Sequence, residues 1–150
     1  MYRRPESVLV LIYTRQSEVL LLQRTDAPEF WQSVTGGLEV DEHPGVAAMR
    51  ELFEETGICT NKEGVALIDH QSSSLFEISG VWRTRYHPDD THNREHVFSV
   101  QLSERVAIKL NSHEHQQCVW LDSKRAIERA TSATNKQAIK DIVPNDQIRH

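Results

Sequence analysis

The sequence predicts an α/β (α+β) chain: a mixed β-sheet sandwiched between helices. Three observations lead there. Residues 7–14 (SVLVLIYT) are apolar on both alternating faces, the pattern of a strand covered on both sides. Several shorter β-type runs follow, separated by polar turns. Helical periodicity occupies one early segment and two late ones, enough to cover both faces of one sheet.

The elements follow in order. A polar turn, RQSE, leads from the first strand to VLLLQR at 19–24, and the two are expected to form a hairpin. TDAPEF is a proline-containing loop, and WQSVT is a short strand running into Gly36-Gly37. The helix at 44–56 begins at Pro44, suited to a first helical position, and stops at Gly57, suited to the residue past the end. Strands are expected near 65–71, 74–86 and 95–103, the last two parted by the loop HPDDTHN. QQCVWL forms a final strand before helices near 123–131 and 134–143. No internal repeat or linker interrupts this order, so residues 1–150 are expected to form a single domain.

Composition narrows the function. The chain has 150 residues, 38% hydrophobic and 26% charged, which is ordinary globular material. Its net charge of −5 and lack of a basic block argue against binding a nucleic-acid polymer. No apolar run is long enough to span a membrane, and no leader pattern precedes the first strand. Cys59 and Cys118 are too few for a disulfide framework, consistent with a cytoplasmic setting. Nothing in the pattern sets the oligomeric state.

The helix at 44–56 breaks local rules. At about 100° per residue, Val46, Met49, Leu52 and Phe53 share one side, expected to pack on the core, while Glu51, Glu54 and Glu55 share the other. Glu51 and Glu55 repel at i,i+4. Glu54 and Glu55 also lie at the negative end of the helix dipole. Arg50 can pair with Glu54, but no lysine or arginine follows in the helix. Such conflict without local compensation marks either a functional site, with a divalent cation supplying the missing positive charge, or a solvated acidic face.

Read with its spacing, Gly36-x5-Glu42-x7-Arg50-Glu51-Leu52-x-Glu54-Glu55-x-Gly57-Ile58 resembles the box that defines the Nudix hydrolases, at every defined position. The resemblance implies an α/β/α Nudix sandwich whose strand-loop-helix unit holds Mg²⁺, with Mn²⁺ as the alternative. It also implies hydrolysis of a phosphoanhydride in a small-molecule triphosphate. By position, Glu51 and Glu55 match metal ligands and Glu54 an adjacent ligand or base. Arg50 matches the arginine that orients a glutamate. Gly36 and Gly37 match a tight turn, and Glu42 the acidic position of the box loop. The general base stays open between Glu54 and Glu55, with Glu114 a third candidate.

The likeness runs on through RRPESVLVLIY, LLLQRTDAPEFWQSVTGGLE, the NRE of Asn93–Glu95, HEH followed by VWLD, and TNKQAI. These stretches resemble the bacterial dihydroneopterin triphosphate pyrophosphohydrolases of folate biosynthesis, also described as acting on dATP. The alternative is a nucleotide-pool enzyme acting on dATP or oxidised dGTP. The resemblance makes Glu114 a further candidate metal ligand. It places Arg3, Arg24, Thr35 and Thr134 where they could touch substrate, against the plainer readings of surface arginines and turn or capping hydroxyls.

Other residues are read as structural. His87, His92, His96, His113 and His115 match no zinc spacing and are expected to be solvated or hydrogen-bonded. Phe30, Trp31, Trp82, Phe98 and Trp120 are expected mainly in the core, with Trp31 a candidate for stacking on a substrate ring.

Overall fold

The computed structural model describes residues 1–144. Its centre is β1 (Glu6–Thr14), whose residues 8–12 are almost wholly buried. Along one edge β1 pairs in parallel with β6 (His92–Leu102) over nine consecutive residues, from Glu6 opposite Arg94 to Thr14 opposite Leu102. The other edge is divided. β4 (Val34–Gly37) pairs antiparallel with Ser7–Val10, while β2 (Glu18–Arg24) meets β1 only at Tyr13 and Val19. The expected hairpin therefore opens into a fork. Its gap is filled by β3 (Trp31–Gln32) along β2 and β4 along β1.

β7 (His115–Asp122) adds to the outer edge of β2, and β5 (Leu67–Glu77) to the outer edge of β6. Side-chain alternation along β1 then divides the core in two. Val8, Val10 and Ile12 pack with Ala47, Ala48 and Leu52 of α1 (Pro44–Thr56), whereas Leu9 and Leu11 face Ala126 of α3 (Ser123–Arg129) and Ile139 of α4 (Ala133–Ile142). The doubly apolar first strand is the reason for this layering.

The structure corrects the sequence in four places. WQSVT is two short strands parted at Ser33, where Asn135 accepts from the Ser33 N–H (2.7 Å) and donates to its hydroxyl (2.9 Å). The segments near 65–71 and 74–86 are one strand as far as Glu77, because a bulge between Asp69 and Ser73, with Gln71 at φ 50°, keeps the chain in one ladder. Beyond it the chain leaves the sheet through a turn at Ser79–Trp82 and a 3₁₀ segment at Arg83–Arg85. A short helix, α2 (Thr60–Glu63), was not evident from periodicity.

The fourth correction concerns the face of α1. Val46, Met49 and Phe53 point outward, at 58%, 47% and 59% exposure, and the buried face is Ala47, Ala48, Glu51, Leu52, Glu55 and Thr56. Positions 47, 48, 51, 52 and 55 form a helical stripe as good as the apolar one. Two alanines let the helix lie close to the sheet, and tertiary partners for the two glutamates settle which stripe turns inward. The helix end is fixed as well. Gly57 is left-handed (φ 78°), its N–H donates to Phe53 O at 2.8 Å, and the Lys109 N–H donates to Thr56 O at 2.9 Å.

Candidate active site

The box closes around Arg50. Its guanidinium grips Glu42 bidentately, Nε to Oε2 at 2.9 Å and Nη2 to Oε1 at 2.8 Å. It also donates to Glu51 Oε1 at 2.7 Å and to Gly37 O at 3.0 Å. The contact expected with Glu54 is the long one, at 3.4 Å. One planar fork thus ties β4, the 38–43 loop and α1 together. The Arg50 bond holds Glu42 down at about 2, helped by the Glu39 N–H. Arg4, which the sequence reading passed over, closes the loop from outside by donating to Glu39 O (3.2 Å) and Glu42 O (3.1 Å).

Glu51 is 8% exposed and lies in a hollow made by Gly36. A Cβ at Gly36 would stand 2.1 Å from Glu51 Cδ and 2.4 Å from its Oε1. At Gly37 a Cβ would meet only Glu6 O at 3.9 Å. Both glycines lie in strand β4, not in the expected tight turn, and Gly36 alone is required by close approach. Burial pushes the Glu51 carboxyl up to about 7 despite Arg50, and the charges of Glu54 and Glu55 add to the rise.

Glu55 is 4% exposed and bonds through Oε2 to His115 Nδ1 at 2.7 Å. His115 Nε2 faces the Gln32 amide nitrogen at 3.1 Å. A neutral imidazole satisfies both contacts if Nδ1–H donates to the carboxylate and Nε2 accepts from Gln32. His115 is therefore a buried, hydrogen-bonded histidine, but its partner is a box glutamate, a pairing that spacing along the chain could not show. Glu54 is different, with a side chain 49% accessible. Glu114 is exposed in the turn just before β7, where its carbonyl accepts from the Thr25 N–H at 2.9 Å.

Among the described residues, no three His, Cys, Asp or Glu side chains are gathered around one point. Arg50 holds Glu51 and His115 holds Glu55, so the box carboxylates are drawn toward protein donors. The chemistry of the donor set still fits a hard divalent cation: carboxylate oxygens at 51, 54 and 55, beside a hollow that a Cβ would fill.

Gly36 and Gly37 also form one wall of a cavity of about 370 Å³. Arg3, Arg24, Thr35 and Thr134 all line it, so the structure brings these four together. Arg24 is bound bidentately by Asp26 (2.7 Å each) and lies 4.8 Å over the Trp82 ring. Thr134 is not the helix cap; Ser132 caps α4 by accepting from the Asn135 N–H at 3.1 Å. Phe30 and Trp82 line the cavity in edge-to-face contact at 5.3 Å, whereas Trp31 is absent from its walls and packs beneath Arg129. The aromatic candidate at 31 is thus replaced by its neighbour at 30 and by Trp82.

This fold and box define a class. The family model described as NUDIX domain matches residues 3–142, and the chain belongs to the Nudix family. Two dihydroneopterin triphosphate diphosphatases are similar to it over nearly the whole chain. That of Haemophilus influenzae is 41% identical over 96% of this chain and 90% of its own, and that of Escherichia coli 43% over 96% and 95%. A solved structure of the E. coli dihydroneopterin triphosphate pyrophosphohydrolase superposes with a TM-score of 0.90, covering 95% of this chain and 97% of that one. A NUDIX hydrolase from Listeria monocytogenes, 24% identical and covering 93% and 92%, shares the fold at a TM-score of 0.76. The chain is a pyrophosphohydrolase whose substrate is a small phosphorylated molecule.

Two outcomes follow from the box geometry. Gly36→Ala forces the Glu51 carboxylate aside, so pyrophosphate release falls at least about tenfold while circular dichroism stays unchanged; Gly37→Ala keeps its melting temperature. Glu42 ionises at about 2 in the fold against 4.5 unfolded, so its contribution is complete above pH 4.5 and is lost as pH falls through about 2. Glu42→Gln is therefore less stable at pH 7, by about 2 kcal/mol, and the gap closes in acid. Urea melts at several pH values read this directly.

Proposed function

We propose that the chain hydrolyses dihydroneopterin triphosphate to dihydroneopterin monophosphate and pyrophosphate, with Mg²⁺ as the working cation. The observation that carries this reading is the continuity of Gly36 and Gly37 with both halves of the site, since the strand that cradles Glu51 also walls the 370 Å³ cavity. The similarity to the two diphosphatases over 96% of the chain supports the choice of substrate.

Glu51, Glu54 and Glu55 hold the cations, with Glu114 a further candidate. When bound, the ions neutralise triphosphate charge and acidify a water molecule. The chain's own residues do the rest. Arg50 and His115 keep Glu51 and Glu55 aimed, while Arg3, Arg24 and Arg85, the last two sharing Asp26 as a counter-charge, line the cavity that receives the polyphosphate and ring. Glu54 is the favoured proton acceptor, because it is half exposed and one oxygen of Glu55 is committed to His115. Water loses its proton to that carboxylate and attacks the α-phosphorus in line. The bond to the bridging oxygen breaks, and pyrophosphate leaves.

The test is pyrophosphate release from dihydroneopterin triphosphate, dATP and oxidised dGTP. The pterin compound should lead dATP by at least about a hundredfold in kcat/KM, and EDTA should abolish turnover; a hundredfold lead for either nucleotide would overturn the substrate. Glu55→Gln should keep its circular dichroism spectrum and lose turnover by orders of magnitude, about 10²-fold or more.

A further inference from the structure

The walls of the cavity include two side chains that the hydrolytic machinery does not use. Asn93 and Glu95 alternate along β6 and so face the same way. Both line the cavity, and they are 2% and 5% exposed. The Asn93 amide nitrogen donates to Ser7 Oγ at 2.7 Å, which leaves its Oδ1 as the unused end of the amide. Among the described residues, neither Asn93 Oδ1 nor Glu95 Oε1 has a hydrogen-bond partner. Two orphaned buried oxygens, on residues that line one cavity, are costly, at about 1–3 kcal/mol each, unless something donates to them. Burial raises the Glu95 pKa, and a hydrogen bond with Thr134 offsets only part of that rise.

We infer that Glu95, assisted by Asn93, reads the ring of the substrate by accepting two adjacent N–H groups, the edge that 2-amino-4-oxo rings present and adenine does not. In a pterin the ring N3–H stands beside the 2-amino group, and in guanine the ring N1–H does so. A carboxylate has only acceptors to offer and matches that pair. Adenine sets a bare ring nitrogen beside its amino group, so one carboxylate oxygen would face a lone pair. Phe30, Trp82 and Tyr86, which line the same cavity, supply apolar surface for the ring. The inference rests on the proposed hydrolysis for its site but concerns which ring enters it. A site built around buried acceptors rejects a ligand that leaves them unpaired far more strongly than an apolar slot rejects a wrong shape.

Equilibrium titration of neopterin, guanosine and adenosine, without metal, into the parent, Glu95→Ala and Glu95→Gln proteins tests this. The parent should bind neopterin and guanosine about a hundredfold more tightly than adenosine. Glu95→Ala should lose about a hundredfold in neopterin affinity while melting no lower than the parent, since an orphaned polar group has been removed. A merely structural carboxylate would do the reverse. Glu95→Gln carries one donor and one acceptor, so its preference should move toward adenosine. Parent protein without neopterin preference, or Glu95→Ala binding neopterin within threefold of the parent, would overturn the inference. If the parent binds neopterin selectively yet releases no pyrophosphate from any triphosphate, ring recognition stands and the hydrolytic reading falls.

Discussion

Most of the site depends on one guanidinium. Arg50 takes both oxygens of Glu42, one of Glu51 and the carbonyl of Gly37. An isolated pair of this kind at a surface contributes little. Here three pieces of backbone meet at the same cation, so loss of any partner loosens the other two. Glu51 is the beneficiary. A carboxylate at 8% exposure, beside two further glutamates, would move or protonate without a fixed positive neighbour. Arg50 keeps it aligned, while burial still holds its pKa up.

A second chain of contacts does the same for Glu55 from the opposite side. Gln32 on β3, His115 at the start of β7 and Glu55 on α1 are joined in series. Asn135 holds Ser33 next to Gln32, and so ties the N-terminus of α4 to the same fork in the sheet. The helix with the carboxylates and the helix that borders the cavity lie on opposite faces, yet both refer to the short β3–β4 segment. Preorganisation of this kind, carried by strands and not loops, is what holds reacting groups in register.

What could be read beforehand was local. Residues 7–14 announced a strand covered on both faces, and the box spacing announced a strand-loop-helix site, because both are patterns within a few dozen residues. What escaped was long-range. Asn135 reaches Ser33 across 102 positions and His115 reaches Glu55 across 60, and periodicity is blind to both. The face of α1 was misread for the same reason. Val46, Met49 and Phe53 look like a core stripe until one knows that Arg50, His115 and the hollow at Gly36 make room for Glu51 and Glu55 inside. The residues that line the cavity were partly visible: Arg3, Arg24, Thr35 and Thr134 came from likeness, whereas Asn93 and Glu95 shared in that likeness through the NRE stretch but gain a role only when their burial is seen without partners.

The central strand has one more effect. Ser7 is paired with Gly37 on one edge and with Glu95 on the other, which sets these two cavity-lining residues two strand spacings apart, about 10 Å. Main-chain hydrogen bonds, far stiffer than any side chain, define that gap. With ring and phosphates bound as proposed, the sheet would act as a gauge of molecular length. A compound with the correct ring and the correct phosphates but a longer spacer between them would be measured and found out of step.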